Sequence, residues 1–350
     1  MTEEEKYMAR CLQLARHGEL TTAPNPMVGA VIVHGGRIIG EGWHRRYGGP
    51  HAEVNAIRSV KAADEGLLAE ATIYVSLEPC SHYGKTPPCA ELLISKGLRR
   101  VVVGCLDPNE KVAGRGIAML REAGVEVTVG CLEEECRQLN RKFMTFHSLH
   151  RPYITLKWAE SADGFIDRRR QSCADGPAVR FSTPWTQMLV HRLRATHEAI
   201  LVGRRTWELD LPSLTTREWP GPSPKRIILT ARGSLLTPQP PLPEPQQGSE
   251  WSHSASKRIV QTDEREENNP TTVSNLPLSG EPGGWQKNRE GEMPSSLLVE
   301  GGAKTLQSFI DADLWDEAYI ERTEAVLGDG VKAPEMKTDL KGRTVHVNFA

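Results

Sequence analysis

Two separate motifs carry the side chains with the clearest capacity for chemistry. His51 and Glu53 stand two positions apart behind a Gly-Gly-Pro turn, and eight residues separate Cys80 from Cys89. One imidazole and two thiolates are three ligands that zinc accepts in a catalytic site, where the fourth position is kept for water. The sequence therefore predicts a catalytic zinc centre with His51, Cys80 and Cys89 as its ligands.

Glu53 is the predicted acid/base of this centre, because it follows His51 closely without being needed as a ligand. Zinc lowers the pKa of a water that it binds toward about 7. A nearby carboxylate can take the proton from that water and deliver it to a ring and its leaving ammonia. The order His-x-Glu, then Pro-Cys and a second Cys, is typical of zinc deaminases that act on bases.

Each motif taken alone has a simpler interpretation. A lone His-x-Glu is usually a solvated helix face, and two loop cysteines are usually plain thiols. A purely structural zinc module is a further alternative, although structural sites are usually closed by four ligands. The combination favours catalysis, because one motif opens a helix after a turn and the other ends a strand. The remaining cysteines lack such partners and are expected to be buried or incidental thiols.

Composition limits the partners and the compartment. The chain has 43 basic and 45 acidic residues and a net charge of −2, which argues against a nucleic-acid partner. No apolar run reaches the ~18 residues of a transmembrane helix, and the acidic N-terminus is unlike a signal peptide. Seven cysteines, an odd number, do not indicate a secreted disulfide framework. We therefore expect a cytoplasmic protein without membrane contact.

The chain of 350 residues is long enough for two domains. Strands alternate with helices over residues 1–147, which predicts a layered α/β domain. The alternation restarts after Arg151-Pro152, so residues 148–350 are predicted to form a second α/β domain. Within it, residues 233–295 are rich in Pro, Gly, Ser and Glu and are predicted to be irregular loops, with one strand candidate at 257–262.

The elements that must position the predicted zinc site follow one another closely. A Gly35-Gly36 hairpin turn joins two strands, and a helix is predicted from 53 to about 63. A strand over 72–77 leads to Cys80, and a short helix follows Cys89 and closes at Gly97. The two motifs are therefore expected at the end of a strand and the start of a helix.

Three stretches resemble one family closely: "APNPMVGAVIV", "GWHRRYGGPHAEVNAI" and "EPCSHYGKTPPC" are similar to the bifunctional riboflavin-biosynthesis deaminase/reductases. The similarity covers nearly the whole chain and is strongest over residues 20–115. It implies a cytidine-deaminase-like three-layer α/β domain followed by a dihydrofolate-reductase-like domain. Nucleic-acid deaminases typically carry Cys-x-x-Cys instead.

For the first domain, the resemblance implies hydrolysis of 2,5-diamino-6-(5-phosphoribosylamino)pyrimidin-4-one to 5-amino-6-(5-phosphoribosylamino)uracil and ammonia. The matching motifs place Asn25, His44, His82 and Lys85 in the substrate pocket. An amide and imidazoles can read pyrimidine edges, and a lysine can meet the ribose phosphate. The simpler readings are that Asn25 only holds a turn between two prolines and that His44 is an ordinary surface residue.

For the second domain, the resemblance implies reduction of the ribosyl group to a ribityl chain with NADPH. Gly301 and Gly302 follow a strand and open a helix, a place where backbone N–H groups can meet phosphate. The residues implied on the cofactor side are Ala159, Thr206, Asp210, Leu214, Gly302, Ala303, Lys304 and Thr305. Those implied on the substrate side are Lys157, Arg194, Arg217 and Glu300.

Arginines suit the bidentate recognition of a sugar phosphate. The simpler readings are a solvated helix face for Arg194 and a loop charge for Arg217.

Two departures from the family pattern concern the second domain. Arg180 stands where many relatives have a tryptophan, and the Gly- and Pro-rich segment before residue 296 disfavours the helix expected there. An active deaminase with a degenerate reductase is therefore the first alternative. A tRNA or other nucleic-acid deaminase is the second, disfavoured by the charge balance and the cysteine spacing. The resemblance also suggests a homo-oligomer assembled through the second domain.

Overall fold

The computed structural model of the chain describes residues 1–83, 87–109, 113–230, 235–236, 293–336, 339–340 and 343–349. These residues form two compact units that divide between Tyr153 and Ile154, and residues 293–295 group with the first unit. The boundary placed at residues 147 and 148 from the sequence lies inside the helix Arg141–Leu149. The chain therefore stays in the first unit to the end of that helix.

The first unit alternates helices with strands, as predicted. Its helices are α1 (Glu3–Ala15), α2 (Ala52–Ser59), α3 (Cys89–Ser95), α4 (Arg115–Glu122), α5 (Glu133–Leu139) and α6 (Arg141–Leu149), with 3-10 helices at Arg16–Gly18 and Ala62–Glu70. Its strands are β1 (Gly29–His34), β2 (Arg37–Trp43), β3 (Thr72–Leu77), β4 (Arg100–Cys105) and β5 (Glu126–Val129). Helices α5 and α6 were not predicted.

These five strands form one sheet in the order β2-β1-β3-β4-β5. β1 is antiparallel to both β2 and β3, whereas β3, β4 and β5 run parallel. The predicted hairpin turn between β1 and β2 is confirmed, with Gly35 and Gly36 both at positive φ (57° and 73°) as a type I′ turn requires. The carboxyl end of β3 delivers the chain directly to the segment that contains Cys80.

Helices cover both faces of this sheet and give the three layers that were predicted. Leu93 of α3 and Leu120 of α4 pack on one face against Val101, together with residues of α2. Met8 of α1 packs on the opposite face against Val102, together with residues of α5 and α6. Each fully buried aliphatic side chain of this kind stabilises the fold by roughly 1.5–3 kcal/mol.

Helix α2 lies unusually close to β2. A Cβ atom on Gly42 would come within 2.3 Å of the amide nitrogen of Ala56, so only glycine allows this approach. The helix ends at Ser59 and not near residue 63 as predicted. The Ser59 hydroxyl accepts a hydrogen bond from the Glu41 amide (2.8 Å), which ties the end of α2 to β2. Val60 then turns to an extended conformation and enters the core.

The second unit is also α/β. Its helices are α7 (Pro184–Ala195), α8 (Arg204–Asp210) and α9 (Ala303–Asp311), of which α8 was not predicted. Its strands are β6 (Tyr153–Glu160, which starts at the boundary), β7 (Phe165–Asp167), β8 (Ala199–Gly203), β9 (Lys225–Leu229), β10 (Leu235–Leu236), β11 (Ser296–Val299), β12 (Glu317–Arg322), β13 (Val331–Lys332) and β14 (Thr344–Phe349). A 3-10 helix spans Cys173–Asp175.

A seven-stranded sheet with the order β10-β9-β8-β11-β6-β12-β14 forms the centre of this unit, and β13 pairs with β7 in a small second sheet. Leu306 and Phe309 of α9 pack with Leu156 and Val299 in an apolar core. A smaller apolar cluster contains Ile200 and other residues of β8, β9 and β11. Helix α7 begins as predicted, because the hydroxyl of Thr183 accepts from the Thr186 amide.

Most of the segment predicted as irregular, residues 233–295, lies outside the described residues, including the strand candidate at 257–262 and the position of the helix expected before residue 296. No helix in the described part of the chain is both long enough and apolar enough to cross a membrane.

Replacing Gly42 by alanine tests the approach of α2 to β2. The added Cβ would force α2 away from the sheet, and we expect the free energy of unfolding to fall by about 1–3 kcal/mol in urea denaturation. Gly66→Ala is the matched control, because nothing lies within 4 Å of its Cβ position. Equal losses in the two variants would contradict the steric explanation.

Candidate active site and metal centre

Three elements of the first unit bring the predicted zinc ligands together. His51 is the N-cap of α2, Cys80 follows β3, and Cys89 is the first residue of α3. The Nδ1 atom of His51 lies 3.5 Å from the Sγ atom of Cys80 and 3.3 Å from that of Cys89. All three ligand atoms lie within 4.8 Å of one another, so a single ion can contact them all.

The electrostatics of this cluster favour a cation. The pKa of Cys80 falls to about 4, because hydrogen bonds from Cys89 and His51 stabilise its thiolate. The pKa of Cys89 is raised well above its usual value by the neighbouring Cys80 and by burial, which oppose a second negative charge. Hydrogen bonding to Cys80 raises the pKa of His51 to about 9. A divalent ion would remove the conflict between the two sulfurs, and one nitrogen with two sulfurs is a donor set that suits zinc.

Glu53 occupies the second position of α2 and is almost fully buried, with 3% of its surface exposed. Burial raises the pKa of its carboxyl group, and the charge of His51 partly opposes this shift. A carboxyl group whose pKa is raised holds a proton more readily than an exposed one, which favours a role as general acid as well as base. The structure therefore places a buried carboxyl group beside the ligand cluster, and its acid/base role stays a prediction.

His44 is buried beside the cluster, and its ring meets that of His51 edge-on with centroids 5.5 Å apart. Its Nδ1 atom lies 3.1 Å from the carbonyl oxygen of Pro50, and its Nε2 atom lies 3.3 Å from Nδ2 of Asn25. Because an amide nitrogen only donates, Nε2 accepts and Nδ1 carries the proton. Burial lowers the pKa of His44 and keeps the ring neutral. The reading of His44 as an ordinary surface residue is wrong.

The other two predicted substrate residues fall on the loop between Cys80 and Cys89. His82 is exposed there. Lys85 lies outside the described residues. Their roles stay predictions.

Glu78 is a functional position that sequence reasoning missed. Its buried carboxylate accepts hydrogen bonds from the amides of Gly114 (2.9 Å), Gly116 (3.0 Å) and Asp107 (3.3 Å), and so fixes the start of α4. A Cβ on Gly116 would lie 1.9 Å from the carbonyl oxygen of Pro79. Glu78 therefore holds α4 against the segment that carries Cys80. Its place directly before Pro79-Cys80 was the available signal.

Two asparagines that were not predicted hold the neighbouring loops. The side chain of Asn140 bonds both the amide (2.8 Å) and the carbonyl (2.9 Å) of Met27, near Asn25. The Nδ2 group of Asn55 donates to the carbonyl oxygens of Trp43 (2.8 Å) and Pro50 (3.2 Å). These bonds fix the backbone on both sides of His44.

In the second unit, three of the predicted substrate residues belong to two buried ion pairs. Arg194 donates to Glu300 through Nε (3.0 Å) and Nη2 (2.6 Å). Nζ of Lys157 lies 3.9 Å from a carboxylate oxygen of Glu321, a partner that was not predicted. Burial lowers the pKa of Lys157, although Glu300 and Glu321 oppose the shift. The reading of Arg194 as a solvated helix face is wrong, because its side chain is only 10% exposed.

Arg217 lies on the exposed loop that follows α8. Its guanidinium group donates to the hydroxyls of Ser213 and Thr215 (2.9 Å to the latter). Thr215 is tied in turn to Arg194, whose Nη1 donates to its carbonyl oxygen (3.2 Å). Leu214, predicted on the cofactor side, is buried with a positive φ of 50°.

The structure brings some of the predicted cofactor residues together. The hydroxyl of Thr206 accepts a hydrogen bond from the amide of Gly302 (2.9 Å), the N-cap of α9. Ala303, Lys304 and Thr305 form the first turn of that helix. This hydrogen bond joins the start of α8 to the start of α9, where the first N–H groups of a helix have no partner within the helix.

Ala159 and Asp210 were also predicted on the cofactor side. Ala159 is half-buried on β6, and the carboxylate of Asp210 accepts from Nη2 of the buried Arg170 (2.6 Å). Arg170 was not predicted, and it ties α8 to the segment after β7. Arg180, which replaces an expected tryptophan, is exposed.

Comparison with protein-family models finds two matches. Residues 1–105 match the cytidine and deoxycytidylate deaminase zinc-binding region, and residues 152–347 match the RibD C-terminal domain. These matches confirm the two predicted folds and the predicted cofactors, which are zinc for the first unit and NADPH for the second.

Individual proteins match over almost the whole chain. Riboflavin biosynthesis protein RibD of Aquifex aeolicus is 37% identical over 95% of this chain and 90% of its own length. The Bacillus amyloliquefaciens protein of that name is 36% identical over 95% of this chain and 87% of its own length.

Solved structures agree with this result. The RibD of Acinetobacter baumannii (form 2) superposes with a TM-score of 0.72 at 32% identity, over 97% of this chain and 91% of that one. A diaminohydroxyphosphoribosylaminopyrimidine deaminase/5-amino-6-(5-phosphoribosylamino)uracil reductase of Thermotoga maritima gives 0.72 at 33% identity, over 97% and 92%. Sequence, fold and ligand cluster agree, and the chain belongs to the RibD family of riboflavin biosynthesis proteins.

Proposed function

We propose that this chain catalyses two successive reactions of riboflavin biosynthesis. The first unit deaminates 2,5-diamino-6-(5-phosphoribosylamino)pyrimidin-4-one to 5-amino-6-(5-phosphoribosylamino)uracil, and the second reduces the ribosyl group of that product to a ribityl chain. The observation that carries the proposal is the meeting of His51, Cys80 and Cys89 beside the buried Glu53. It is supported by relatives of nearly equal length: the Aquifex aeolicus protein is named for riboflavin biosynthesis, and the Thermotoga maritima structure is named for both activities.

In the deaminase, His51, Cys80 and Cys89 would hold zinc, which when bound lowers the pKa of a coordinated water toward about 7. Glu53 takes one proton from the attacking water and passes it to the ring nitrogen, while a C–O bond forms at the ring carbon. It then takes the second proton from the new hydroxyl group and passes it to the exocyclic amine. The C–N bond breaks, ammonia leaves, and the oxygen stays as the carbonyl group of the product. The raised pKa of Glu53 suits both directions of transfer.

We assign Asn25, His44, His82 and Lys85 to substrate binding in this unit. The ring of His44, held by Asn25 and Pro50, forms a fixed wall beside His51. The amide of Asn25 also has a carbonyl oxygen that can accept from an amino group of the base. A lysine at position 85 and an exposed imidazole at position 82 suit the phosphoribosyl group.

In the reductase, NADPH when bound would supply the hydride that reduces the ribosyl group to the ribityl chain. Thr206 and Gly302 would hold its phosphates at the start of α9, with Ala303, Lys304 and Thr305 in the same turn. We also assign Ala159, Asp210 and Leu214 to the cofactor side. Lys157, Arg194, Arg217 and Glu300 are assigned to the phosphorylated sugar.

The partner of this enzyme is a small molecule. We further propose that it binds no nucleic acid, works in the cytoplasm and assembles as a homo-oligomer. The net charge of −2 supports the first point, and the odd number of cysteines, all of them free thiols in the structure, supports a reducing compartment.

Glu53→Gln tests the acid/base assignment. The amide cannot accept and release the proton, so we expect the rate of ammonia release to fall at least about 10²–10⁴-fold while zinc content stays normal. NADPH oxidation with the deaminated intermediate serves as the internal control and should not change. Retained deamination would remove Glu53 from this role.

Cys80→Ser tests the metal site. Loss of one thiolate should reduce the zinc content of the purified protein, by elemental analysis, from about one ion per chain to a small fraction. Cys173→Ser, at an exposed thiol in the second unit, is the matched control. Normal zinc content in Cys80→Ser would contradict the ligand assignment.

Reduction by the second unit is tested separately, because a degenerate reductase is the leading alternative. We expect NADPH oxidation when the chemically prepared deaminated intermediate is supplied. The residues assigned to the cofactor and to the sugar are already held in place, by the hydrogen bond between Gly302 and Thr206 and by the ion pair between Arg194 and Glu300. Intact ammonia release without NADPH oxidation would support the alternative.

A further inference from the structure

One turn of helix α7 holds the loop that carries Arg217. His191 and Arg194 are three positions apart and so lie on one side of the helix. The backbone N–H of Arg217 donates to Nδ1 of His191 at 2.8 Å. Arg194 donates to the carbonyl oxygen of Thr215 at 3.2 Å. The loop is therefore tied to α7 at two backbone positions.

The His191 ring is fully buried, with 0% of its surface exposed. Because its Nδ1 atom accepts from a backbone N–H, the neutral ring carries its proton on Nε2. Among the described residues, nothing bonds that Nε2 atom. A buried donor without a partner is destabilising, so the one hydrogen bond that His191 makes, to Arg217, is the clearest reason for an imidazole at this position.

The charges around His191 keep it in this form. Burial lowers its pKa, and Arg194 from its own helix and Arg217 from the loop lower it further, while Glu218 and Glu300 oppose them. The neutral ring is the form that can accept at Nδ1. The lowered pKa therefore favours the contact to Arg217.

The loop itself is folded around the Arg217 side chain. The guanidinium group donates to the hydroxyls of Ser213 and Thr215, and Leu214 between them is buried in the core. The direction of the guanidinium group thus depends on where the backbone of residue 217 is fixed. That point is set by His191.

We propose that His191 is a positioning residue of the reductase, whose Nδ1 atom fixes the backbone at Arg217 so that the guanidinium group is already ordered when a phosphorylated sugar arrives. The inference rests on the proposed function, in which Arg217 meets the substrate. Ordering a charged group before binding reduces the entropy lost on binding, so its effect falls on substrate affinity.

Two polar substitutions separate the hydrogen bond from the packing. His191→Asn places an amide oxygen where Nδ1 stands and keeps the acceptor, whereas His191→Gln places its amide at the Nε2 position and loses it. We expect Gln to raise the reductase KM for the phosphorylated intermediate about tenfold, the effect of one hydrogen bond, with kcat nearly unchanged. The KM of the His191→Asn variant should stay within about threefold of that of the unchanged chain. Ammonia release is the internal control. Equal KM values for the two variants would overturn the proposal.

A double-mutant cycle with Arg217→Ala shows whether His191 acts through Arg217. We expect Arg217→Ala alone to raise KM, and His191→Gln to add nothing in that background. If the KM increases of His191→Gln and Arg217→Ala multiply in the double variant, the positioning role is overturned and the substrate role of Arg217 stands. An unchanged KM in Arg217→Ala, or no NADPH turnover in the unchanged chain, would instead remove the proposed function of this loop, and the inference with it.

Discussion

Two thiols, one imidazole and a carboxyl group are enclosed together where β3, α2 and α3 meet. Burial disfavours two negative charges close together. The pKa of Cys80 is accordingly lowered, whereas that of Cys89 is raised. A divalent cation allows both sulfurs to be ionised and leaves the neighbouring carboxyl group to carry protons. The organisation of the first unit follows from the need to hold these four groups within reach of one ion.

Much of the surrounding structure serves to fix their backbone. Gly42 lets α2 approach β2, and Gly116 lets α4 approach Pro79. Glu78 and Asn140 bond backbone groups that would otherwise be unsatisfied in buried loops. None of these residues is assigned a chemical step, yet each holds backbone near a proposed ligand or a residue assigned to the substrate. Catalytic geometry here is a property of packing and backbone hydrogen bonds.

The second unit contains charged side chains with little exposure to solvent. Lys157 and Arg194 are charged groups with little exposure, and each has a carboxylate partner, Glu321 and Glu300. Buried charges are tolerated when they are paired, and removing one partner of such a pair typically costs about 3–5 kcal/mol. Ser182 and Thr186 donate to Glu321 and complete its hydrogen bonding. Charged groups that are assigned to a phosphorylated sugar are thus held in place by the protein itself.

The sequence by itself determined the kind of chemistry, since zinc ligation depends on residue type, and the short spacing from His51 to Glu53 indicated a carboxyl group beside a ligand. It also determined the α/β class, because alternating strands and helices leave a periodic pattern. Helices α5, α6 and α8 were not predicted, because at seven to nine residues each is shorter than the window of about 11–18 residues in which helical periodicity is read, and none is closed by a glycine as α3 is at Gly97. The early end of α2 at Ser59 coincides with two tertiary contacts, the hydrogen bond from the Glu41 amide of β2 and the burial of Val60 in the core.

Only the tertiary structure showed what Glu78, His191 and Glu321 contact. Their partners lie tens of residues away along the chain, at Gly114, Arg217 and Lys157. Local patterns report which face of an element is buried, but not which distant backbone amide or charge will meet a given side chain. Such contacts arise only when the chain folds and brings separate segments together. The candidate ligands could therefore be predicted from the sequence, whereas the groups that position them could not.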